Sequence, residues 1–316
     1  MHEMNTRQDE VLPEPKEGFF AAIEEGDLAT VQSYLERDAS LANAIDNRVS
    51  LVSDRSWEER SLRIGAGFVD EQPKPQPRTQ TALHVAVKHN RLEVVRLLVA
   101  HGADVNAVTK SQQTPLHYAT TYKFLNLELI QFLVEHGANV NGNGPGSTPL
   151  YRAFRWDRDP LPVVEFLLEN GADVNAASRD RKRTPVDMAV FLLGSPTDHL
   201  PLIEVLLRFG ADVNPVPPNT EREPPLPEVA LHGNVPVARL LLAAGADPNA
   251  TGPWGTALHM AAHDGYDRMV ELLLDAGGDP HALDKDGRTP LNLTQPYEET
   301  LERIEHLLSN QSGGGQ

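Results

Sequence analysis

The chain has no cysteine, which excludes disulfides and thiol catalysis without fixing the redox compartment. It also has no apolar run near the roughly 18 residues that read as a membrane-spanning helix. Aromatic residues are only 6% of the total, a composition that suits closely stacked helices built from Leu, Val and Ala. Positive charge is scarce, with 28 Lys and Arg against 45 Asp and Glu and a net charge of −17. That balance argues against non-specific binding to nucleic acid or to anionic membranes. The opening segment MHEMNTRQDEVLPEPKEG is polar and acidic and lacks the apolar region of a signal peptide, so a cytoplasmic location, or a nuclear one, is the expectation.

The stretch TALHVAVKHNRLEVVRLLVAHGADVN, residues 81–106, reads as one complete unit. Thr81 stands where a helix N-cap is wanted, since its hydroxyl can accept from a free first-turn amide. Leu83, Val85, Ala86 and Val87 give a short apolar helix, and His89-Asn90 breaks it. Leu92, Val94, Val95, Leu97, Leu98 and Val99 recur at helical spacing and predict a second helix, with Leu97 and Leu98 both buried. Gly102 follows where a left-handed stop favours glycine. Such a unit is too small to cover its own apolar face and needs neighbours of the same kind.

The neighbours are there. TPLHYA opens at 114, TPLYRA at 148, TPVDMA at 184, TALHMA at 256 and TPLNLT at 289, spaced 33, 34, 36, 72 and 33 residues apart when counted from Thr81. The closings are GADVN at 102, GANVN at 137, GADVN at 171 and 210, GADPN at 245 and GGDP at 277. Proline in second place fits a first helical turn, which needs no amide donor there. A degenerate unit, opening near Pro224-Pro225-Leu226 and closing at GADPN, bridges the long gap.

These openings and closings, at a period of about 33 residues, resemble the ankyrin-repeat family. The resemblance covers residues 18–308 and is weak before 81. It implies an all-α ankyrin-repeat solenoid of antiparallel helix pairs with projecting β-hairpin loops, and a concave groove that binds a partner. It divides the chain into a disordered segment 1–17, an N-terminal capping helix pair 18–43, an insertion loop 44–80, repeats 81–308 with a C-terminal cap, and a flexible tail 309–316. The repeats are expected to form one continuous array.

The insertion is the largest departure. Its SDRSWEERSLRI part could form a short helix, and EQPKPQPRTQ, with alternate prolines, should be extended. It reads either as a loop without function or as a flap over the groove. The junction GNGPGS lacks the lysine of a phosphate-binding loop and the full glycine spacing, and reads as a tight hairpin. ASRDRKR, at 177–183, is the most basic patch of an acidic chain. It is either a solvated tip or a contact surface. The prolines of 215–227 should make that junction irregular.

Chemistry is not expected from these residues. Of 12 histidines, His84, His117 and His259 share one place in three repeats and read as structural, bonding the neighbouring Thr or hairpin backbone. His101 and His136 suit the ends of second helices. Asn106, Asn141, Asn175, Asn214 and Asn249 read as satisfying loop backbone. No metal-protease, calcium-loop or nucleophile-elbow spacing occurs, and Asp284-Lys285-Asp286-Gly287 matches a hairpin tip better than a calcium loop. No enzyme, cofactor or metal is expected.

Position-matching to the family places the partner surface at two residues per repeat, seven and eight after the opening Thr. These are Lys88 and His89, Thr121 and Tyr122, Arg155 and Trp156, and His263 and Asp264, with His232 from the degenerate unit. Phe191 and Leu192 hold the same places but read as core. Trp156 is read as an anchor in the groove, against packing under its own lengthened turn. Arg152, Arg181, Lys182 and Arg183 add charge, and Trp254 lies at a tip. Tyr, Trp and Arg are the residue types that most often dominate binding energy. The expectation is a monomeric, non-enzymatic module that binds another protein, with an acidic segment of it in the groove. The alternative is a small-ligand or peptide sensor with 44–80 as a lid.

Overall fold

In a computed structural model of the chain, the described residues are 15–46, 49–50, 76–77, 79–121, 125–142, 148–154, 159–178, 183–191, 200–214, 224–293 and 306–308. The chain divides into two compact units, Met1–Pro145 and Gly146–Gln316, where the repeat spacing alone predicts one array. The division falls within the junction GNGPGS, whose glycines and proline carry little side chain to pack.

The first unit holds helices α1 (Pro15–Glu25), α2 (Leu28–Arg37), α3 (Ala82–Lys88), α4 (Leu92–Ala100), α5 (Pro115–Thr121) and α6 (Leu127–Glu135). Helix α1 begins three residues before the expected boundary at 18, since proline is well suited to a first helical turn. Phe19, Phe20 and Ile23 of α1 are buried, with Val31 and Leu35 of α2. Within the unit α1 packs on α3 and α3 on α5, while α2 packs on α4. A two-stranded antiparallel ribbon, β1 (Val49–Ser50) and β2 (Gln76–Pro77), pairs Val49 with Pro77 and Ser50 with Gln76. It continues into an Ile45–Thr81 bridge, so the insertion starts and ends in paired backbone. The expected extended course of 71–80 is seen at Gln76–Pro77. The expected helix near Trp57 lies outside the described residues.

The second unit holds α7 (Pro149–Ala153), α8 (Leu161–Glu169), α9 (Pro185–Phe191), α10 (Leu200–Arg208), α11 (Pro225–Leu231), α12 (Val235–Ala243), α13 (Ala257–His263) and α14 (Asp267–Asp275). The odd-numbered helices pack in sequence and so do the even-numbered ones. The degenerate unit is a complete helix pair, α11 and α12. Pro224 is its N-cap residue, and Pro225 and Pro227 enter the first turn, where missing amides leave no bond unmade. These prolines start a helix instead of extending the irregular junction. Residues 215–223 lie outside the described set.

Helices α4, α6, α8, α10, α12 and α14 end in the same way, whereas α2 runs into an extended Asp38. In α4, Gly102 has φ +82°, its amide meets Val99 O at 2.9 Å and the Ala103 amide meets Leu98 O at 3.0 Å. This pair of bonds is the Schellman stop. A Cβ on Gly102 would meet nothing within 4 Å, so the left-handed φ alone calls for glycine.

The stop also gives the next clamp its target. Asn106 Nδ2 donates to Gly137 O at 2.8 Å, and its Oδ1 accepts from the Asn139 amide at 2.8 Å. Asn43 spans Gly102 and Asp104 in the same way. In the second unit Asn175, Asn214 and Asn249 span Gly210 and Asp212, Gly245 and Asp247, and Gly277 and Asp279. These asparagines bond loop backbone as expected, but it is the backbone of the following repeat.

Leu98 is fully buried, whereas Leu97 is half-buried and corrects the expectation that both are covered. Leu98 aligns with buried Val94 and Val95, and Leu97 lies one helical step away at the edge of that face. Leu98→Ala is therefore expected to cost about 2–5 kcal/mol in denaturant titration, and Leu97→Ala about half of that or less. Equal losses would count against this register.

Candidate protein-interaction surface

Four of the first helices, α3, α5, α9 and α13, are anchored at one end and open at the other. In α3 every residue from Ala82 to Val87 is buried, and Lys88 is the half-exposed last residue. In α5 the buried run is Pro115–Thr120, followed by half-exposed Thr121. Pro185–Val190 of α9 precede half-exposed Phe191, and Ala257–Ala262 of α13 precede exposed His263. Packing thus fixes six successive side chains and releases the seventh. The released positions carry Lys, Thr, Phe and His, while the fixed ones repeat Leu, Ala and Val.

At the anchored end the opening Thr is bonded by the third residue of its helix. The Thr81 amide donates to His84 Nδ1 at 3.2 Å, and the Thr81 hydroxyl lies 2.8 Å from the same nitrogen. Nδ1 is then the acceptor, and the Nε2–H donates to Gln113 O of the next hairpin at 3.0 Å. His259 repeats this with Thr256 and Arg288 O, and His117 makes the Thr114 bonds. Asp187 accepts from the amide and hydroxyl of Thr184 instead, and Asn292 does so from Thr289. The imidazoles are structural, as their shared place predicts.

The expected site residues fall as follows. Lys88 and His89 stand at the end of α3, both half-buried. His232 caps the end of α11, with Nε2 3.6 Å from Glu228 Oε1, and His263 and Asp264 end α13, with Nδ1 2.7 Å from Oδ1. Arg152 lies in α7 and is half-buried. Arg183 precedes α9, and its guanidinium lies 4.3 Å from the centre of the Phe191 ring. That contact corrects the reading of Phe191 as core. As the last residue of its helix, it passes beyond the packed row and is covered by a cation. Tyr122, Arg155, Trp156, Arg181, Lys182 and Leu192 lie outside the described residues.

Trp254 is 60% exposed on a hairpin closed by the Gly252 and Gly255 backbones, and Lys285 Nζ lies 4.4 Å from its ring centre. Lys285 was not among the expected residues. The signal that could have found it is register, since the two residues sit on consecutive hairpin tips. The Asp284 tip is held by its own charges. Asp284 accepts from the Asp286 and Arg288 amides and from the Arg288 side chain. Burial pushes the Asp284 carboxyl up, but these bonds together outweigh it and hold the group below the usual carboxylate value. Among the described residues no group of three or more His, Cys, Asp or Glu could hold a metal ion. No helix among them is long and apolar enough to cross a membrane.

Sequence profiles described as "Ankyrin repeats (3 copies)" match residues 19–143 and 83–178. "Ankyrin repeats (many copies)" matches 241–293 and "Ankyrin repeat" matches 224–253. The chain belongs to the ankyrin-repeat family and is a protein-interaction module of that kind. It is similar to protein phosphatase 1 regulatory subunit 27 of Homo sapiens, 38% identical over 79 residues, which is 24% of this chain and 51% of that protein. An ankyrin repeat-containing protein of Treponema pallidum (strain Nichols) is 49% identical over 63 residues, 20% of this chain and 21% of that one. The matches therefore span about half of the first relative and about a fifth of the second. Among known structures, the human ASB11 ankyrin repeat domain is 26% identical with a TM-score of 0.55, covering 72% of this chain and 98% of that one. The ankyrin repeat domain of Bcl-3 is 26% identical with a TM-score of 0.58, covering 73% and 98%.

His84 makes the anchored end sensitive to acid. Burial lowers its pKa from 6.5 to about 4, against the raising effects of the Gln113 carbonyl and the Asp104 charge. The unfolded chain takes up this proton near 6.5 and the folded chain only near 4, so stability falls as pH drops through that window. The loss is expected to reach about 3 kcal/mol. Asn in place of histidine offers the same acceptor without the proton, as Asn292 does. Denaturant midpoints of His84→Asn should therefore vary less between pH 6.5 and 4 than those of the parent. Parallel profiles would show that His84 is not the group responsible.

Proposed function

We propose that the chain is a non-enzymatic adaptor that binds an acidic segment of a partner protein along its first-helix ends and hairpin tips. The observation that carries this reading is the release of one side chain after six buried ones in α3, α5, α9 and α13. Those ends are free to differ chemically because packing does not constrain them. The sequence supplies the charge: Arg152, Arg155, Arg158, Arg179, Arg181, Lys182 and Arg183 fall within one repeat and its following tip in a chain of net charge −17. Like charges so close repel unless acidic groups compensate them, and a partner's carboxylates would do so. Trp156 would supply the apolar anchor that charge alone lacks. The name of one relative, a phosphatase regulatory subunit, is consistent with an adaptor, but its partner is not carried over.

The test is comparative capture. Tagged parent and the Arg155→Ala, Trp156→Ala double variant are used as baits, and a protein enriched by the parent is titrated against both. The double variant should bind more weakly by about 2 kcal/mol or more, with an unchanged melting temperature. Replacing Arg181, Lys182 and Arg183 by Gln should mainly slow association and flatten its salt dependence. A partner bound equally well by parent and double variant would place the site elsewhere.

A further inference from the structure

The hairpin bearing Trp254 is built for rigidity without the indole. The Gly252 amide donates to Gly255 O at 2.9 Å, and the Gly255 amide returns to Gly252 O at 3.3 Å. Pro253 fixes one of the two residues at the turn. The tips at Lys110–Gln112 and Lys285–Gly287 manage with polar residues and glycine, so the hairpin does not need a tryptophan there. Even so, 60% of Trp254 is exposed, and Leu283 on the following hairpin is 61% exposed.

The polar side-chain groups of Trp254 and Lys285 are both donors. Lys285 Nζ lies over the indole at 4.4 Å, within cation–π range. The carboxylates beside it are already engaged, Asp284 and Asp286 meeting Arg288 at 2.9 and 2.6 Å. Among the described residues no carboxylate lies within salt-bridge distance of Lys285, and none accepts from the Trp254 indole N–H. An ammonium and an indole N–H can only donate, so the complementary group is an acceptor, and a carboxylate satisfies both charge and hydrogen bonding.

We propose that Trp254, Lys285 and Leu283 form a second docking point, one that takes an acidic segment of a partner protein with an apolar side chain next to its carboxylate. The carboxylate meets the ammonium and the indole N–H, and the apolar side chain covers Leu283 and the indole edge. This rests on the chain being a protein-interaction module, but not on the basic stretch around Arg155 and Trp156.

The probe is a phage-displayed random dodecapeptide library selected on the intact protein, with enriched peptides then titrated by fluorescence anisotropy. The expected result is enrichment of acidic sequences with an aromatic or aliphatic residue, weakened at least about tenfold by Trp254→Ala and severalfold by Lys285→Gln, with circular dichroism and melting temperature unchanged. Enrichment of basic sequences, or none at all, would overturn the proposal. So would peptides that lose affinity in Arg155→Ala, Trp156→Ala but not in Trp254→Ala, an outcome that leaves the other surface standing. Self-association abolished by Trp254→Ala, seen by sedimentation, would overturn it as well, since a second copy would then cover the tip.

Discussion

Every helix pair in this chain carries more apolar surface than it can cover alone. The first helices have five to eleven residues, and isolated helices of that length are marginal in water. They persist because consecutive first helices pack on one another with Leu83, Leu116, Leu226 and Leu258 among their buried residues. Stability is therefore a property of neighbouring repeats, and a repeat with a poor opening can still fold between good ones. Helices α11 and α12 do so with no threonine cap and three prolines at the entry.

Apolar contact is non-directional and would not by itself fix how one repeat sits on the next. The direction comes from two polar devices. The clamp asparagine holds the following Schellman stop through its backbone carbonyl and a nearby amide. At the other end the imidazoles of His84 and His259 reach the following hairpin. A net hydrogen bond adds only about 1 kcal/mol, but a mispaired one leaves groups unmet, so these bonds select register more than they add stability.

The same saturation explains where function can reside. The buried run of each first helix has no freedom left, and the hairpin cores are closed by backbone bonds. Helix ends and hairpin tips can change without disturbing the stack. There the chain departs from its own pattern, with Phe191 under Arg183, the His263–Asp264 pair, and Trp254 beneath Lys285.

The sequence by itself determined the family, the repeat period and the structural role of the recurring His and Asn, because each is a local pattern repeated at a fixed period. The family resemblance singled out the positions seven after the opening Thr, and burial leaves Lys88, Thr121, Phe191 and His263 at the edge of the packed run. Tertiary structure decided what lies between repeats. Leu97 and Leu98 look alike in sequence, yet only contact with the neighbouring helices separates the buried one from its half-buried neighbour. Phe191 reads as core until its place at the end of α9 puts Arg183 over its ring. Trp254 and Lys285 are far apart along the chain and meet because stacking brings consecutive tips together. Local chemistry writes the repeat, but the distance from one repeat to the next is crossed only by packing.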